Sequence, residues 1–176
     1  MSLSSNVKNF TAGAITLTDG TGTPLTITVA LDEGDFEISD LSAVLNAQTH
    51  YETRGRYTSS SYGARKYPTF SFSAKVAEFS EDSTGTLADA ILKGGTVWSA
   101  AVSTLGAGTK IPYALDVGFS LECSDYESGA SDQTFTLTDC AELTISFAEG
   151  DPNTFKVTGT VLGPITGDLA AAQLAA

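Results

Sequence analysis

The fold is decided by one stretch of the sequence, Leu143-Thr144-Ile145-Ser146-Phe147, and by the segments that follow it. After the turn Glu149-Gly150-Asp151-Pro152-Asn153 comes Phe155-Lys156-Val157-Thr158-Gly159-Thr160-Val161. In both segments apolar residues alternate with short hydroxyl residues, so one face of each is apolar and the other is polar. This period of two is typical of antiparallel strands with one face on a core and the other in water. The stretch therefore predicts a hairpin in a mainly β protein.

The same alternation predicts further strands along the chain. A first pair, residues 14–18 and 25–31, is joined by a turn that begins at Asp19-Gly20. A short stretch at 35–38 follows, and clear strands are predicted at residues 67–76, 112–123, 134–139, 141–147 and 155–162, with a break near Cys140. The Ala and Ser content of residues 97–105 leaves a further strand there open.

One short helix is predicted at residues 86–93. Asp82-Ser83-Thr84 offers a cap at its start, and Gly94-Gly95 offers the left-handed residue that ends it. The apolar stripe of this helix consists of Leu87, Ala88, Ile91 and Leu92.

The composition fits one domain of a β-rich protein that needs no disulfide framework. The chain has 176 residues, of which 17% are charged, and it has two cysteines, Cys123 and Cys140, predicted to be small buried thiols. Acidic residues outnumber basic ones 21 to 9, and the net charge of −12 argues against binding nucleic acid through its phosphates. The start of the sequence has no secretory signal pattern, and no apolar run is long enough to span a bilayer, so we expect no membrane insertion.

Residues 41–66 form a long excursion without a clean period. A connection of this length inside a compact domain is unusual, and it is typically functional or mobile. The excursion holds four of the nine basic residues, Arg54, Arg56, Arg65 and Lys66, together with Tyr51 and Tyr57. We predict that these six side chains make contacts between subunits.

No motif in the sequence predicts catalysis, a metal site or a cofactor. The lone histidine, His50, lies in the excursion without a recognisable nucleophile. Phosphate-loop and calcium-loop patterns are absent from the sequence. Carboxylates are plentiful enough for a glycosidase-type pair, but many lie in predicted turns such as Asp32-Glu33 and Glu81-Asp82. We therefore predict that the chain is not an enzyme and that its function lies in the surface of its sheets.

The order of these elements resembles that of the major tail proteins, or tail tube proteins, of long-tailed bacteriophages. The resemblance covers roughly residues 7–163 and is one of layout rather than of a diagnostic motif. It rests on the hairpin at the start, the polar excursion, the strand Tyr67-Pro68-Thr69-Phe70-Ser71-Phe72-Ser73, the helix that ends at Lys93-Gly94-Gly95, and the closing hairpin that runs to Gly163.

The resemblance implies an antiparallel β-barrel or sandwich with one short flanking helix. It implies a tail tube domain over residues 1–163, with residues 41–66 as a loop that reaches the adjacent ring, and a C-terminal tail or arm over residues 164–176. Six copies would form a ring, and stacked rings would form a tube in the virion tail, assembled in the host cytoplasm, through which the genome passes. The partners implied are copies of the chain, tail tip or baseplate and terminator proteins, and, transiently in the lumen, the tape measure protein and DNA.

The wall of such a lumen should be acidic or hydroxyl-lined, because each Lys or Arg paired with a phosphate adds affinity for DNA. Among the outward phases of the predicted strands, we assign the lumen to Glu142, Thr144 and Ser146. Two other readings of the sequence remain open. One is a β-sandwich adhesin or carbohydrate-binding module, which the tyrosines of the excursion would serve, and the other is a small β-sandwich hydrolase, which lacks a recognisable nucleophile and base.

Overall fold

The structure is a computed structural model, which describes residues 10–32, 35–41, 48–53, 56–62, 67–75, 85–108, 110–123 and 133–168. Ten strands, one α-helix and one 3₁₀ helix are present in these ranges. The strands are β1 (Phe10–Thr18), β2 (Thr26–Asp32), β3 (Phe36–Ser39), β4 (Gln48–Thr53), β5 (Arg56–Tyr62), β6 (Thr69–Lys75), β7 (Leu115–Cys123), β8 (Gln133–Ala148), β9 (Thr154–Val161) and β10 (Ile165–Gly167). The helix α1 spans Leu87–Leu92, and the 3₁₀ helix spans Trp98–Ala100. The prediction of a mainly β, antiparallel fold with one short helix is confirmed.

Eight strands form one antiparallel sheet in the order β2-β1-β7-β8-β9-β6-β3, with β10 pairing to β8. The sheet is open and folds into two layers, as in a sandwich. Phe36 of β3 lies across the core from β7 and β8, with its ring centroid 4.1 Å from that of Phe119 and 5.8 Å from that of Phe135. The apolar side chains that point inward from the strands form one core, in which the indole of Trp98 is fully buried.

Strand β8 belongs to both layers because two bulges bend it. Its first half pairs with β7 and its second half pairs with β9, and the register shifts at each side. Asp139 and Glu142 take left-handed backbone angles, with φ of 54° at both residues. A bulge bends a strand and increases its twist. The break predicted near Cys140 is therefore a bend within one continuous strand.

The sheet continues past Gly163, where the domain boundary was predicted. Strand β10 pairs with the first half of β8, with Ile165 opposite Leu137. The link between β9 and β10 is held to the bulge of β8, since Gly163 N donates to Thr138 O at 3.1 Å and Leu162 N donates to Asp139 O at 3.2 Å. Residues 165–167 are thus part of the sheet rather than of a tail.

The excursion at residues 41–66 contains a second sheet. Strands β4 and β5 pair antiparallel with each other and with no other described strand. The prediction of a loop was wrong for residues 48–53 and 56–62, whose sequence has no clean alternation of apolar and polar residues. Thr and Tyr favour strands whether or not the sequence alternates.

The helix is capped by residues other than those predicted. Thr86 accepts a hydrogen bond from Asp89 N at 3.2 Å, and the carboxylate of Asp89 accepts one from Thr86 N at 2.9 Å, which completes a capping box. The proposed cap at residues 82–84 lies outside the described residues. The left-handed residue after the helix is Lys93, with φ of 55°, rather than Gly94. Leu92, predicted on the apolar stripe, is 67% exposed.

The strand left open at residues 97–105 is not formed. After the 3₁₀ helix the backbone of this segment is held by side chains and by isolated main-chain bonds, from Gly20 N to the Val102 carbonyl and from Thr104 N to the Ala114 carbonyl. The carboxylate of Asp19 accepts a hydrogen bond from Val102 N at 3.0 Å, and the hydroxyl of Ser103 accepts one from Ala114 N at 3.1 Å. These bonds satisfy backbone groups that a strand would pair in a ladder.

Candidate functional site

The folded sheet presents two polar outer faces, one on each layer. We call the first the threonine face: it is the outer surface of β2, β1, β7, the first half of β8 and β10. The second, which we call the Glu142 face, is the outer surface of the second half of β8, β9, β6 and β3. Both faces follow from the alternation of apolar and polar residues along each strand, because the residues between the core positions point away from the core.

One row of aligned residues crosses the whole threonine face. Its members are neighbours in the ladders of five strands: Thr28, Thr16, Gly118, Thr136 and Thr166. The hydroxyls of Thr16 and Thr28 lie 3.0 Å apart and share a hydrogen bond. Such cross-strand pairs of hydroxyl residues stabilise a sheet without adding charge.

The charged residues of the threonine face are all acidic among the described residues. Those whose side chains the structure describes are Asp116 and Glu122, both on β7. Asp116 lies near the bulge of β8, where one of its carboxylate oxygens accepts a hydrogen bond from Asp139 N at 2.9 Å. Burial raises the pKa of Asp116, the hydrogen bond from Asp139 opposes this, and the charge of Asp139 adds to it.

The three residues predicted to line a lumen lie together on the Glu142 face, and each contacts β9. The Glu142 carboxylate accepts a hydrogen bond from the Thr160 hydroxyl at 2.8 Å. The Thr144 and Thr158 hydroxyls are 2.7 Å apart, and the Ser146 hydroxyl donates to the Lys156 carbonyl at 3.5 Å. The left-handed backbone at Glu142 places it at the bulge, beside Thr160.

The Glu142 face differs from the threonine face in that it carries cations. Two lysines, Lys75 and Lys156, and two carboxylates, Glu37 and Glu142, lie among its outward residues. Apart from the exposed Ala148, the remaining outward residues are hydroxyls: Ser39, Thr69, Ser71, Ser73, Thr144, Ser146, Thr154, Thr158 and Thr160. Its formal charge is therefore balanced, whereas the described charge of the threonine face is negative.

A shallow depression of about 360 Å³ lies on the Glu142 face. Polar side chains of all four strands line it, including Glu37, Thr69, Glu142, Lys156 and Thr160. No group of three or more potential metal-ligating His, Cys, Asp or Glu side chains occurs among the residues that the structure describes. The depression is a hydroxyl-rich surface with charged groups of both signs.

The buried titratable groups of the molecule have structural roles. Asp19 is 3% exposed, and its carboxylate accepts hydrogen bonds from Thr21, Leu25 and Val102. Burial alone would raise the pKa of Asp19, but these hydrogen bonds outweigh burial and lower it. Burial, aided by the charges of Asp116 and Asp139, raises the pKa of the Cys140 thiol. Cys140 is thus a buried thiol, as predicted; the structure gives the backbone of Cys123 at the end of β7.

The predicted subunit-contact residues are only partly covered by the structure. Arg54, Arg65 and Lys66 lie outside the described residues. Tyr51 belongs to β4, while Arg56 and Tyr57 belong to β5, and the hairpin register pairs Tyr51 with Ser59. The hairpin thus places half of this predicted set on one small sheet, separate from both outer faces.

The threonine face could not be predicted as one site from the sequence. Its signal was present in the outward Thr and Ser residues of strands β1, β2 and β7, but alternation does not tell which strands become neighbours. No helix among the described residues has both the length and the apolar character needed to cross a membrane. Comparisons with protein-family models, with curated proteins and with solved structures found no match, so function is argued from the faces themselves.

Proposed function

We propose that the chain is a structural subunit that assembles with copies of itself into stacked rings, which form the tail tube of a long-tailed bacteriophage. The observation that carries this proposal is the threonine face. It is a hydroxyl-rich surface that spans five strands, has no basic side chain among the described residues, and is backed by an apolar core. Such a surface suits the wall of a conduit for a polyanion.

DNA would adhere to a wall that carries basic side chains. A protein cation that neutralises a phosphate releases counterions, and the resulting affinity would be multiplied over every ring of a tube. A wall with hydroxyls and a few carboxylates offers a phosphate no cation to pair with, so contact with DNA releases no counterions. A low density of charge on the wall is as important as the sign of the charge, because the genome must slide along the wall.

Because it lacks described cations, the threonine face is a better wall for the lumen than the Glu142 face. Lys75 and Lys156 would each offer a phosphate partner on the Glu142 face, whereas the described part of the threonine face has no such partner. The assignment of the lumen to Glu142, Thr144 and Ser146 is the competing proposal. Whichever face lines the channel, the opposite face is turned outward.

An edge strand of the sheet also supports assembly with other subunits. Among the described strands, β2 stands at one end of the sheet and pairs only with β1. The main-chain groups of an edge strand can pair with a strand of another chain. The threonine face reaches this edge, so pairing through β2 would extend the same surface into the neighbouring subunit.

The hairpin β4–β5 is the proposed contact with the adjacent ring. It forms its own sheet, and four of the nine basic residues of an acidic chain lie in or beside it. Opposite charges across an interface set its register and speed association more than they add affinity. The further partners proposed are tail tip or baseplate, terminator and tape measure proteins, within a virion assembled in the host cytoplasm.

Self-association tests the proposal directly. Sedimentation velocity over a rising series of protein concentrations should show a shift from subunits to rings and larger stacks. A β-sandwich adhesin or carbohydrate-binding module would remain monomeric over the same series. A chain that stays monomeric at high concentration, and also in the presence of tail initiation proteins, would contradict the proposal.

A further inference from the structure

An apolar groove of about 320 Å³ opens at one end of the sandwich. Strands β3, β7 and β8 form it, with the residues that flank them. Its apolar lining consists of Phe36, Ile38, Leu41, Leu121 and Phe135. Phe36 and Phe135 also belong to the aromatic cluster of the core, so the groove leads directly onto the core.

Asp168 lies on the rim of this groove and is held there by two hydrogen bonds to Thr134. Its backbone N–H donates to the Thr134 carbonyl at 2.8 Å, and its carboxylate accepts from Thr134 N at 2.7 Å. Gly167, just before it, has a φ of 87°, a left-handed conformation that L side chains rarely adopt. A Cβ at Gly167 would also clash with the Thr134 carbonyl oxygen. Asp168 is therefore held at a fixed point, at the edge of the groove.

The sequence that follows Asp168 has the composition of a segment that packs against an apolar surface. Residues 169–176 comprise two leucines, Leu169 and Leu174, five alanines and one glutamine. This segment has no charged residue, in a chain of net charge −12. Burial of a leucine side chain is favourable, so the hydrophobic effect favours docking of these two leucines into an adjacent apolar groove.

We propose that the groove is the docking site for residues 169–176 of the same chain. Consecutive Cα atoms are about 3.8 Å apart, so residue 169 begins at the rim where Asp168 is fixed. A tethered segment this short has an effective concentration on the order of millimolar at its own groove. The same segment of a second copy has no such advantage in dilute solution. The proposal concerns the free subunit and holds whether or not the chain forms tubes.

Removal of residues 169–176 is the first test. The shortened chain, ending at Asp168, should bind the dye ANS, which reports exposed apolar surface. Its backbone amides in β3 and the first half of β8 should exchange with solvent about tenfold faster, which corresponds to about 1.4 kcal/mol of lost docking. A synthetic peptide of residues 169–176, added to the shortened chain, should reverse both effects in a saturable manner.

Point variants of the full chain keep the test independent of truncation. Leu174→Asp should reproduce the effects of the deletion, because an unpaired carboxylate cannot enter the groove without a large desolvation cost. Gln173→Ala, its neighbour, is the matched control and should leave dye binding and exchange unchanged.

Two outcomes would overturn the proposal. Unchanged exchange and dye binding after the deletion would mean that the groove is covered by another segment, such as residues 42–47 or 124–132, which adjoin Leu41 and Gln133. Effects that appear only at concentrations where the full chain associates would mean that the occupant belongs to a neighbouring copy.

Discussion

At the scale of single residues, the buried carboxylate of Asp19 shows how the first hairpin is tied to the rest of the core. One oxygen accepts from Leu25 N at 2.8 Å, within the hairpin, and the other accepts from Val102 N at 3.0 Å, on the segment after the 3₁₀ helix. A second tie runs beside it, from Gly20 N to the Val102 carbonyl at 2.8 Å. One acidic side chain thus organises a turn and a distant segment that has no strand partner.

We predict that Asp19→Asn lowers the free energy of unfolding by about 1–3 kcal/mol, the cost of leaving buried groups unsatisfied. The amide has one oxygen and one NH₂ group, so it cannot accept hydrogen bonds on both sides. Urea unfolding at neutral pH measures the loss. Glu122→Gln, an exposed acid on β7, is the control and should change stability by less than about 0.5 kcal/mol.

The penalty for Asp19→Asn should also depend on pH. The pKa of Asp19 is lowered in the folded state, so its stabilisation is fully present above the unfolded-state pKa of about 3.9. This stabilisation is lost as the pH falls through the folded-state pKa. The difference in the free energy of unfolding between wild type and variant should therefore be largest near neutral pH and should become smaller in acid. A gap that widens below pH 4 would contradict this account of Asp19.

At the scale of elements, the bulge of β8 depends on a glycine in its neighbour β9. Gly159 lies opposite Phe70 of β6 in the ladder, next to the bulge at Glu142 and Leu143. A Cβ at this position would come within 2.8 Å of both Leu143 Cδ2 and Phe70 Cε1. The absence of a side chain is what lets Leu143 and the Phe70 ring pack over the strand.

We predict that Gly159→Ala destabilises the fold by about 1–3 kcal/mol, as overpacking of a core does. Gly22→Ala is the matched control, because a Cβ there has no other atom within 4 Å. Equilibrium unfolding of both variants in urea measures the difference. If both unfold at the midpoint of the wild type, the packing at Gly159 has been described incorrectly.

The separate hairpin β4–β5 gives a prediction about assembly. Replacing residues 48–62 with a short Gly-Ser linker should leave the main sheet folded, because the two strands pair only with each other among the described strands. The shortened chain should keep its far-ultraviolet circular dichroism signal for β structure and its cooperative unfolding, yet fail to form stacks in sedimentation. Stacks of normal size from this variant would show that the hairpin does not join rings.

The elements also show which features could be predicted from the sequence and why the others could not. The strands that bury one face, such as Phe70 to Ala74 in β6 and Val157 to Val161 in β9, were predictable because the burial leaves an alternating pattern. The hairpin β4–β5 left no such pattern. The path of the segment after the 3₁₀ helix was not predictable either, because Val102 in this segment is held by Asp19, which lies 83 positions away in the sequence. Local propensity contains no information on a partner at that distance.

At the scale of the whole molecule, the alternation of apolar and polar residues predicted that polar outer faces exist. It did not predict which strands share a face. Glu142, Thr144 and Ser146 were predicted to share a face, and they do. The row from Thr28 to Thr166 depends on the order of five strands, which becomes known only when β7 and β8 are placed side by side. The difference in charge between the two faces arises from this order. It is the feature on which the proposed lumen now rests.

The central claim is that this chain forms a tube whose inner wall is the threonine face, and cryo-electron microscopy of the protein assembled at high concentration tests it most directly. We expect stacked rings with a continuous channel, edge pairing through β2, and the Thr16, Thr136 and Thr166 side chains facing the channel. A tube with Glu142, Thr144 and Ser146 on its inner wall would support assembly but contradict the assignment of the face. A wall rich in lysine and arginine, or particles that remain single subunits, would contradict the account as a whole.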